Sequence, residues 1–479
     1  MENILNVIII CLVIGVIVLS FYFMFVYGYN LIISLFGYKN LKKDYDLISD
    51  QTRFLILVAA HNEEKVIGST IENLKQIKYN KELFDICIVS DNSTDRTTQI
   101  AREYGVMVVD TIQGKFVREG IGKPAGLQYA LRELGFENIN NKYDLVMVLD
   151  ADNFVDSNIL QEVNSQYIAK DKPDAIQTYL DSKNYGKLMS LAYSVVFWTN
   201  NRFMQSAKYR IGLPNSIGGT GFFIKTEWLI NNGGFNFKSL TEDLEMEIDI
   251  VKNGGRVLWN NFTGIYDEKP EKTKVSMVQR HRWIKGHWYV AFKEVLGLTK
   301  KFVTTGKLKY LDKIIFLMSM GKAMHMFLIL LLLATNGILA FEHDELTKLF
   351  ITFNLIAIWQ FINEYFLYIS GANIFLLLYS FGVLPLYSTI RRIGKNNPVK
   401  VVVALQWFML TDFIIQFIGI FTWHRQGVWV ATPHDKVAIE TQDDSYARPA
   451  IYNEELVENN EEMMKEVVEK VLDNKQNNL

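Results

Sequence analysis

Hydrophobic and polar positions divide this chain into parts of different character. From Ile4 to Phe36 no charged residue interrupts the sequence, a run longer than the ~20 residues that cross a bilayer. A cleavable leader has a basic start and an apolar region of ~7–15 residues. Here the start carries Glu2 and the run is far longer, which predicts one spanning helix continuing along the interface, with a tight helical pair as the alternative. Lys39, Lys42, Lys43 and Arg53 follow, so charge bias predicts a cytoplasmic location for the next domain.

From Arg53 onward short apolar runs alternate with helix-like stretches: Phe54–Ala60, Asp85–Ser90, Val106–Asp110 and Asp144–Asp150. That rhythm predicts an α/β domain with a largely parallel sheet, whose ligand sites lie at the carboxyl ends of strands. Leu188 to Arg210 mixes aromatic and apolar residues with Arg202, Lys208 and Arg210. It reads as an amphipathic helix on the membrane or as a core helix. Further apolar stretches lie near Ile314–Phe341, Leu349–Ile369, Gly371–Ile390 and Val401–Trp423. Four full spans would leave Arg391, Arg392 and Lys395 outside, against charge bias. In the other arrangement two segments span, while Gly371–Lys395 and Val401–Trp423 lie at the cytoplasmic interface. Lys322, His325 and Glu364 sit within apolar sequence, where charge is costly, and are candidates for lining a channel. From about Lys436 the chain is acidic and polar with a short stripe of Met464, Val467, Val468, Val471 and Leu472. This predicts a flexible tail with a protein contact. The expected divisions are a membrane segment 1–36, a domain 37–300, a membrane and interface region 301–432, and a tail 433–479.

Charge and cysteine content narrow the function classes. With 50 basic and 52 acidic residues there is no basic footprint for nucleic acid. Cys11 and Cys87 lack disulfide or zinc spacing, and His281 and His287 lack ligand spacing; all four read as packing or surface residues.

Candidate chemistry clusters at strand ends. Ala59-Ala60-His61-Asn62-Glu63-Glu64, Ser90-Asp91-Asn92-Ser93-Thr94-Asp95 and Asp150-Ala151-Asp152 each follow an apolar run. Singly, such acids serve turns or helix caps; three clusters on one sheet edge point to a site. The pair Asp150 and Asp152 suits a divalent metal, which prefers hard oxygen ligands and leaves positions for phosphates. In Thr241-Glu242-Asp243 a separate carboxylate suits a general base, and the same string also starts a helix that Ser239 or Thr241 would cap. Gln279, Arg282 and Trp283 fall at i, i+3 and i+4, so on a helix they share one face. An amide, a guanidinium fork and a ring there fit a diphosphate and a sugar. Ile217-Gly218-Gly219-Thr220-Gly221-Phe222-Phe223 lets a sugar approach the backbone or forms a tight turn.

In this order, and followed by apolar sequence, these strings resemble glycosyltransferase family 2, specifically its membrane-embedded processive branch, which includes cellulose, hyaluronan and poly-N-acetylglucosamine synthases. The resemblance covers roughly Phe54 to Val290 and, more loosely, the membrane segments. It implies an α/β GT-A-like cytosolic nucleotide-sugar domain combined with an α-helical transmembrane region. By this resemblance Asn62, Glu63, Asp91, Lys123 and Asp150 hold the donor, and Asp150 and Asp152 bind Mg²⁺ or Mn²⁺. Pro124 departs from the family's stretch after the donor-site lysine. Asp243 is the implied base, and single displacement on an α-linked donor makes the product β-linked. Gly219, Thr220, Gly221, Gln279, Arg282 and Trp283 are implied acceptor contacts. Val428-Trp429-Val430-Ala431-Thr432-Pro433-His434 resembles a terminal segment of poly-N-acetylglucosamine synthases, in which Trp429 and Thr432 close over nucleotide; an interfacial tryptophan is the alternative. The tail is too short for the cyclic-dinucleotide-binding barrel of some cellulose synthases.

The expected function is processive elongation and secretion of a β-linked polysaccharide from a UDP-sugar, by a multi-pass plasma-membrane protein with its catalytic domain in the cytoplasm. UDP-glucose giving β-glucan and UDP-N-acetylglucosamine giving poly-β-N-acetylglucosamine remain competing donors. Transfer of one sugar to a lipid carrier is the alternative within enzymes, and an inactive scaffold or export component is the alternative outside them. Expected partners are the donor, the growing polysaccharide, the bilayer and a protein at the tail.

Overall fold

A computed structural model describes residues 2–427 except 113, 119, 121, 320 and 394–396, and beyond them His434 and Ile439. Among the described residues eight strands form one sheet: β1 Phe54–Ala60, β2 Phe84–Ser90, β3 Met107–Asp110, β4 Leu145–Asp150, β5 Phe154–Val155, β6 Ala175–Ser182, β7 Phe222–Lys225 and β8 Val257–Asp267. Their order is β3-β2-β1-β4-β7-β6-β8-β5. Strands β1 to β4 are parallel, and their register sets Ala60 beside Ser90, Ala59 beside Asp150 and Ser90 beside Asp110. The carboxyl ends carrying the acidic strings therefore form one edge.

Both faces of this half are covered, which is why its strands read as unbroken apolar runs. Leu55, Leu57, Val146 and Val148 pack towards the helices Lys123–Leu134 and Glu242–Lys252. Phe54, Ile56, Val58 and Met147 pack the other way, against Ile67–Lys75 and Ile159–Ala169. The other half is mixed rather than parallel: β7 runs antiparallel to both β4 and β6, and β5 is antiparallel to β8. The reason is local. The glycine segment before β7 lies at the carboxyl edge, so the strand can only run back from it.

Among the described residues four helices are long and apolar enough to cross a membrane: Asn6–Leu35, Ala323–Phe341, Ile356–Ile393 and Pro398–Thr422. The N-terminal run is one helix, Glu2–Leu35. Leu349–Ile369 and Gly371–Ile390 are not separate segments, because one helical run extends from Ile356 to Ile393 through a wider turn at Tyr379–Val383. Its 38 residues span about 57 Å at 1.5 Å per residue, well beyond the ~30 Å hydrocarbon layer. The excess lies on the sheet side, where Arg392 pairs with Asp181 of β6.

Pro398–Thr422 touches the sheet-bearing domain near both ends. Lys400 Nζ donates to Gly186 O at 3.1 Å, and Gln426, just past the helix, donates to Lys285 O at 3.2 Å. The helix thus lies against the domain along its length. Leu188–Arg210 is mostly buried, its first helix packed against Val401, Ala404 and Leu405, so the core-helix alternative describes it better. Among the channel candidates, Glu364 faces outward. His325 is buried, stacked on Phe23 and Tyr27 and bonded to Asn373 at 3.2 Å.

Candidate active site

The carboxyl edge of β1, β2 and β4 opens into a cavity of about 550 Å³. Glu63, Asp91, Lys123, Asp150 and Asp152 line one end. Lys123 begins its helix with Pro124 in the first turn, where proline's missing N–H costs nothing. Its Nζ donates to Asp150 Oδ1 and to Gly219 O, both at 2.6 Å. Asp152 is oriented by two donors, Asn153 Nδ2 at 3.1 Å and the Glu268 N–H at 2.8 Å. Asp91 is held bidentately by Arg118, at 2.7 and 2.6 Å.

Asn62 departs from its expected donor role. It has φ of 56°, and its Oδ1 accepts the Thr94 N–H at 2.7 Å. An asparagine tolerates this left-handed conformation while bonding locally, so the side chain braces the loop and does not line the cavity.

Negative charge is concentrated around the strand ends. Burial, opposed by Lys269 and reinforced by Asp152 and Asp150, pushes Asp267 up to about 6. Glu63 is also raised, chiefly by burial. His434 lies 3.0 Å from Glu63 Oε1. Burial disfavours its charge, but Asp152, Glu63 and Glu268 outweigh that and push it up to about 10. So many carboxylates at one edge are a setting that favours a divalent cation, and Asp150 and Asp152 offer the hard oxygens it takes. Among the described residues no three such donor side chains form a cage. Trp429 and Thr432 lie outside the described residues. His434 was not singled out from sequence, because its partner Glu63 is 371 positions away.

Midway along the cavity stands Asp243, in the first turn of Glu242–Lys252. Neither Ser239 nor Thr241 caps this helix: both hydroxyls are buried without a hydrogen-bond partner among the described residues. Instead Glu245 Oε2 reaches back to the N–H groups of Lys238 and Ser239, at 3.1 and 2.9 Å. Burial, then the neighbouring Glu242 carboxylate, pushes Asp243 up to about 7. Glu242 is itself raised by burial, against the pull of Lys123 and Arg282. Gly219 has φ of 79°, and a Cβ there would lie 3.2 Å from Asp243 Oδ2. Only glycine leaves that approach open.

Gly219 and Thr220 line the cavity; Thr220 Oγ1 accepts the Asp150 N–H at 3.1 Å. Gly221 does not. Its N–H pairs with Val148 O at 2.9 Å, and a Cβ would strike Ile265 at 2.7 Å. It serves sheet packing rather than acceptor contact.

Gln279, Arg282 and Trp283 share the cavity face of the helix Thr273–Thr305. Tyr193 donates to Gln279 Oε1 at 3.1 Å and meets the Trp283 ring edge-on, centroids 6.0 Å apart. Arg280 points away, stacked 4.0 Å over Phe408 and bonded to Thr411 Oγ1 at 2.7 Å; it fixes Pro398–Thr422 to the domain. Beyond Trp283 the cavity reaches Phe316, Ser319, Gly321 and Gln416, where the helices Leu308–Met318 and Gly321–Phe341 meet beside Pro398–Thr422.

Residues 52–286 match the model of Glycosyltransferase like family 2. The matched segment is just under half of the chain. The mixed sheet with its acidic carboxyl edge is accordingly a GT-A-like fold. The β-monoglucosyldiacylglycerol synthase of Synechocystis sp. is 28% identical over 265 residues, 51% of this chain and 51% of that protein. The poly-β-1,6-N-acetyl-D-glucosamine synthase of Staphylococcus aureus is 24% identical over 297 residues, 59% of this chain and 68% of that one. The chain thus spans about half of the first relative. Among solved structures, the Pyrobaculum calidifontis mannosyltransferase in complex with GDP-Man and Mn²⁺ has a TM-score of 0.47 at 16% identity, covering 78% of this chain and 99% of that one.

Proposed function

We propose that this chain is a membrane-integrated inverting glycosyltransferase that elongates a β-linked polysaccharide from a UDP-sugar and passes it towards its own membrane helices. One observation carries the reading: a single cavity joins the strand-end carboxylates, Asp243, Trp283 and the start of the apolar helices. In this reading Glu63, Asp91 and Lys123 hold the nucleotide end of the donor. Asp150 and Asp152 would hold Mg²⁺ or Mn²⁺, which when bound neutralises charge on the departing diphosphate. Asp243 takes the proton of the acceptor hydroxyl as that oxygen attacks the anomeric carbon. Its raised proton affinity suits the task at neutral pH. Attack opposite the leaving group inverts an α-linked donor to a β product. Trp283 offers the terminal sugar a flat apolar face, with Gln279 and Arg282 supplying polar contacts beside it.

The likeness to a glucosyldiacylglycerol synthase supports a second reading, transfer of one sugar to a lipid hydroxyl arriving by the same membrane-side opening. Incubating the purified full chain in lipid with UDP-glucose or UDP-N-acetylglucosamine and Mg²⁺ or Mn²⁺, then sizing the product, separates the readings. Polymer supports elongation. A lipid-linked monosaccharide supports the second reading, and absence of any product with active-site integrity intact supports an inactive scaffold.

A further inference from the structure

Behind the cavity wall, which Glu247 helps to line, lies a buried set of four alternating charges that the chemistry above does not use: Lys208, Asp312, Lys313 and Glu247. The side chains of Lys313 and Glu247 are 0% and 1% exposed. Lys313 Nζ donates to Glu247 Oε1 at 2.6 Å and to the carbonyls of Pro214 and Asn215, both at 3.2 Å. Glu247 Oε2 accepts the Ile217 N–H at 2.8 Å. Asp312 joins Lys208 Nζ at 2.7 Å to the hydroxyl of Tyr29, also at 2.7 Å, on the N-terminal helix.

A buried ion pair is weak support for stability, since well-packed apolar residues serve as well or better. What distinguishes this one is where its bonds lead. Glu247 is four residues after Asp243, one turn along the same face of Glu242–Lys252. The strip Pro214–Gly219 is gripped at Pro214 and Asn215 by Lys313 and at Ile217 by Glu247, and it ends at Gly219 beside Asp243. Lys313 and Asp312 belong to the helix Leu308–Met318, which ends where Ser319 and Gly321 line the membrane side of the cavity. Acceptor wall, candidate base and membrane-side opening are therefore tied to one pair of side chains.

We propose that Glu247 and Lys313 are positioning residues for the transfer, setting Asp243 and the Ile217–Gly219 wall against the membrane-side helices so that the acceptor hydroxyl meets the base. This rests on the reading of Asp243 as the base. Neither residue touches the donor end, so its loss shows in the rate of transfer and not in donor binding.

The test compares the full chain in lipid nanodiscs with Glu247→Gln, Lys313→Met, Lys313→Arg and the double variant Glu247→Gln/Lys313→Met. UDP-glucose and UDP-N-acetylglucosamine serve as donors, and UDP binding reports an intact donor site. Glu247→Gln keeps the shape and an acceptor for Ile217 but loses the charge pairing. Its kcat for transfer falls about 10–100-fold, the scale of a sub-ångström to 1 Å misplacement, while the donor KM stays within about twofold. Lys313→Arg keeps the pairing and retains most of the rate; Lys313→Met does not. The double variant leaves no unpaired charge, so it reports on positioning even where a single variant fails to fold. A double variant that binds UDP and keeps the parent kcat overturns the proposal. So does a loss of kcat that is matched by a loss of UDP binding, which marks a purely structural pair. A parent chain that makes no product with either donor overturns the functional reading itself and this proposal with it.

Discussion

Asp243→Asn isolates the proton transfer from everything else in the site. The change keeps shape and burial while removing the proposed base, whose proton affinity burial and the adjoining Glu242 carboxylate push up to about 7. A positioned general base contributes about 10²–10⁴-fold, or ~2.7–5.4 kcal/mol of barrier at 1.36 kcal/mol per tenfold. The variant should lose transfer by that factor and keep UDP-sugar binding, because the donor end of the cavity is built from β1, β2 and β4. The raised affinity also sets the parent's pH profile. With a value of about 7, roughly half the sites carry the base form at pH 7 and about one in eleven at pH 6. The acidic limb of kcat/KM should therefore fall about tenfold per unit below neutrality. The stability sign is opposite. A carboxylate raised in the folded state disfavours folding above its unfolded value of ~3.9, most fully above pH 7. The variant's Tm at pH 8 should match or exceed the parent's. The assay measures initial rates of sugar incorporation from pH 5.5 to 8.5, with UDP binding by calorimetry. Near-parent transfer by Asp243→Asn, or a parent profile flat through pH 6–7, would refute the assignment and turn attention to Glu242.

Asp152→Asn should lower donor affinity and turnover together and shift the Mg²⁺ or Mn²⁺ requirement upward, because a hard oxygen ligand is lost; unchanged metal dependence in a folded variant removes Asp152 from the site. Trp283→Ala should preserve UDP binding and cost elongation on the order of tenfold, with Trp283→Phe retaining part because a flat apolar face remains; full-length polymer from the alanine variant would contradict the platform role. Gly219→Ala should fold with about 1 kcal/mol of backbone strain at positive φ and lose transfer more than donor binding, since its Cβ would stand 3.2 Å from Asp243 Oδ2; parent-level rates would show that the acceptor does not pass there.

Much of the parallel half of the sheet was legible because strands covered on both faces must be apolar throughout, as Phe54–Ala60 is. β6 and β8 were not, and the reason is polar burial. Gln177 in β6 is buried and bonds Thr220 O at 3.0 Å, and Asn260 in β8 bonds Gln166 and Tyr45 at 3.0 and 2.8 Å. Those satisfied amides break the apolar pattern without breaking the strands. That Asp150, Asp152, Asp243, Gln279, Arg282 and Trp283 would share one cavity was legible from order and spacing. Asn62 and Gly221 were misread because a turn and a close sheet contact use the same residue types as a binding loop. His434 and the Lys313–Glu247 pair were invisible for a different cause. Each depends on a partner far along the chain, and a lone histidine or lysine in sequence carries no sign of which carboxylate it will meet.

Product length at low donor conversion tests the central claim most directly. The full chain in lipid vesicles, given radiolabelled UDP-N-acetylglucosamine or UDP-glucose with Mg²⁺, should yield long β-linked polymer while most donor is still unspent, because the acceptor end stays on Trp283 between additions. Label confined to a lipid-linked monosaccharide, or products that lengthen one sugar at a time across the whole population, would contradict it.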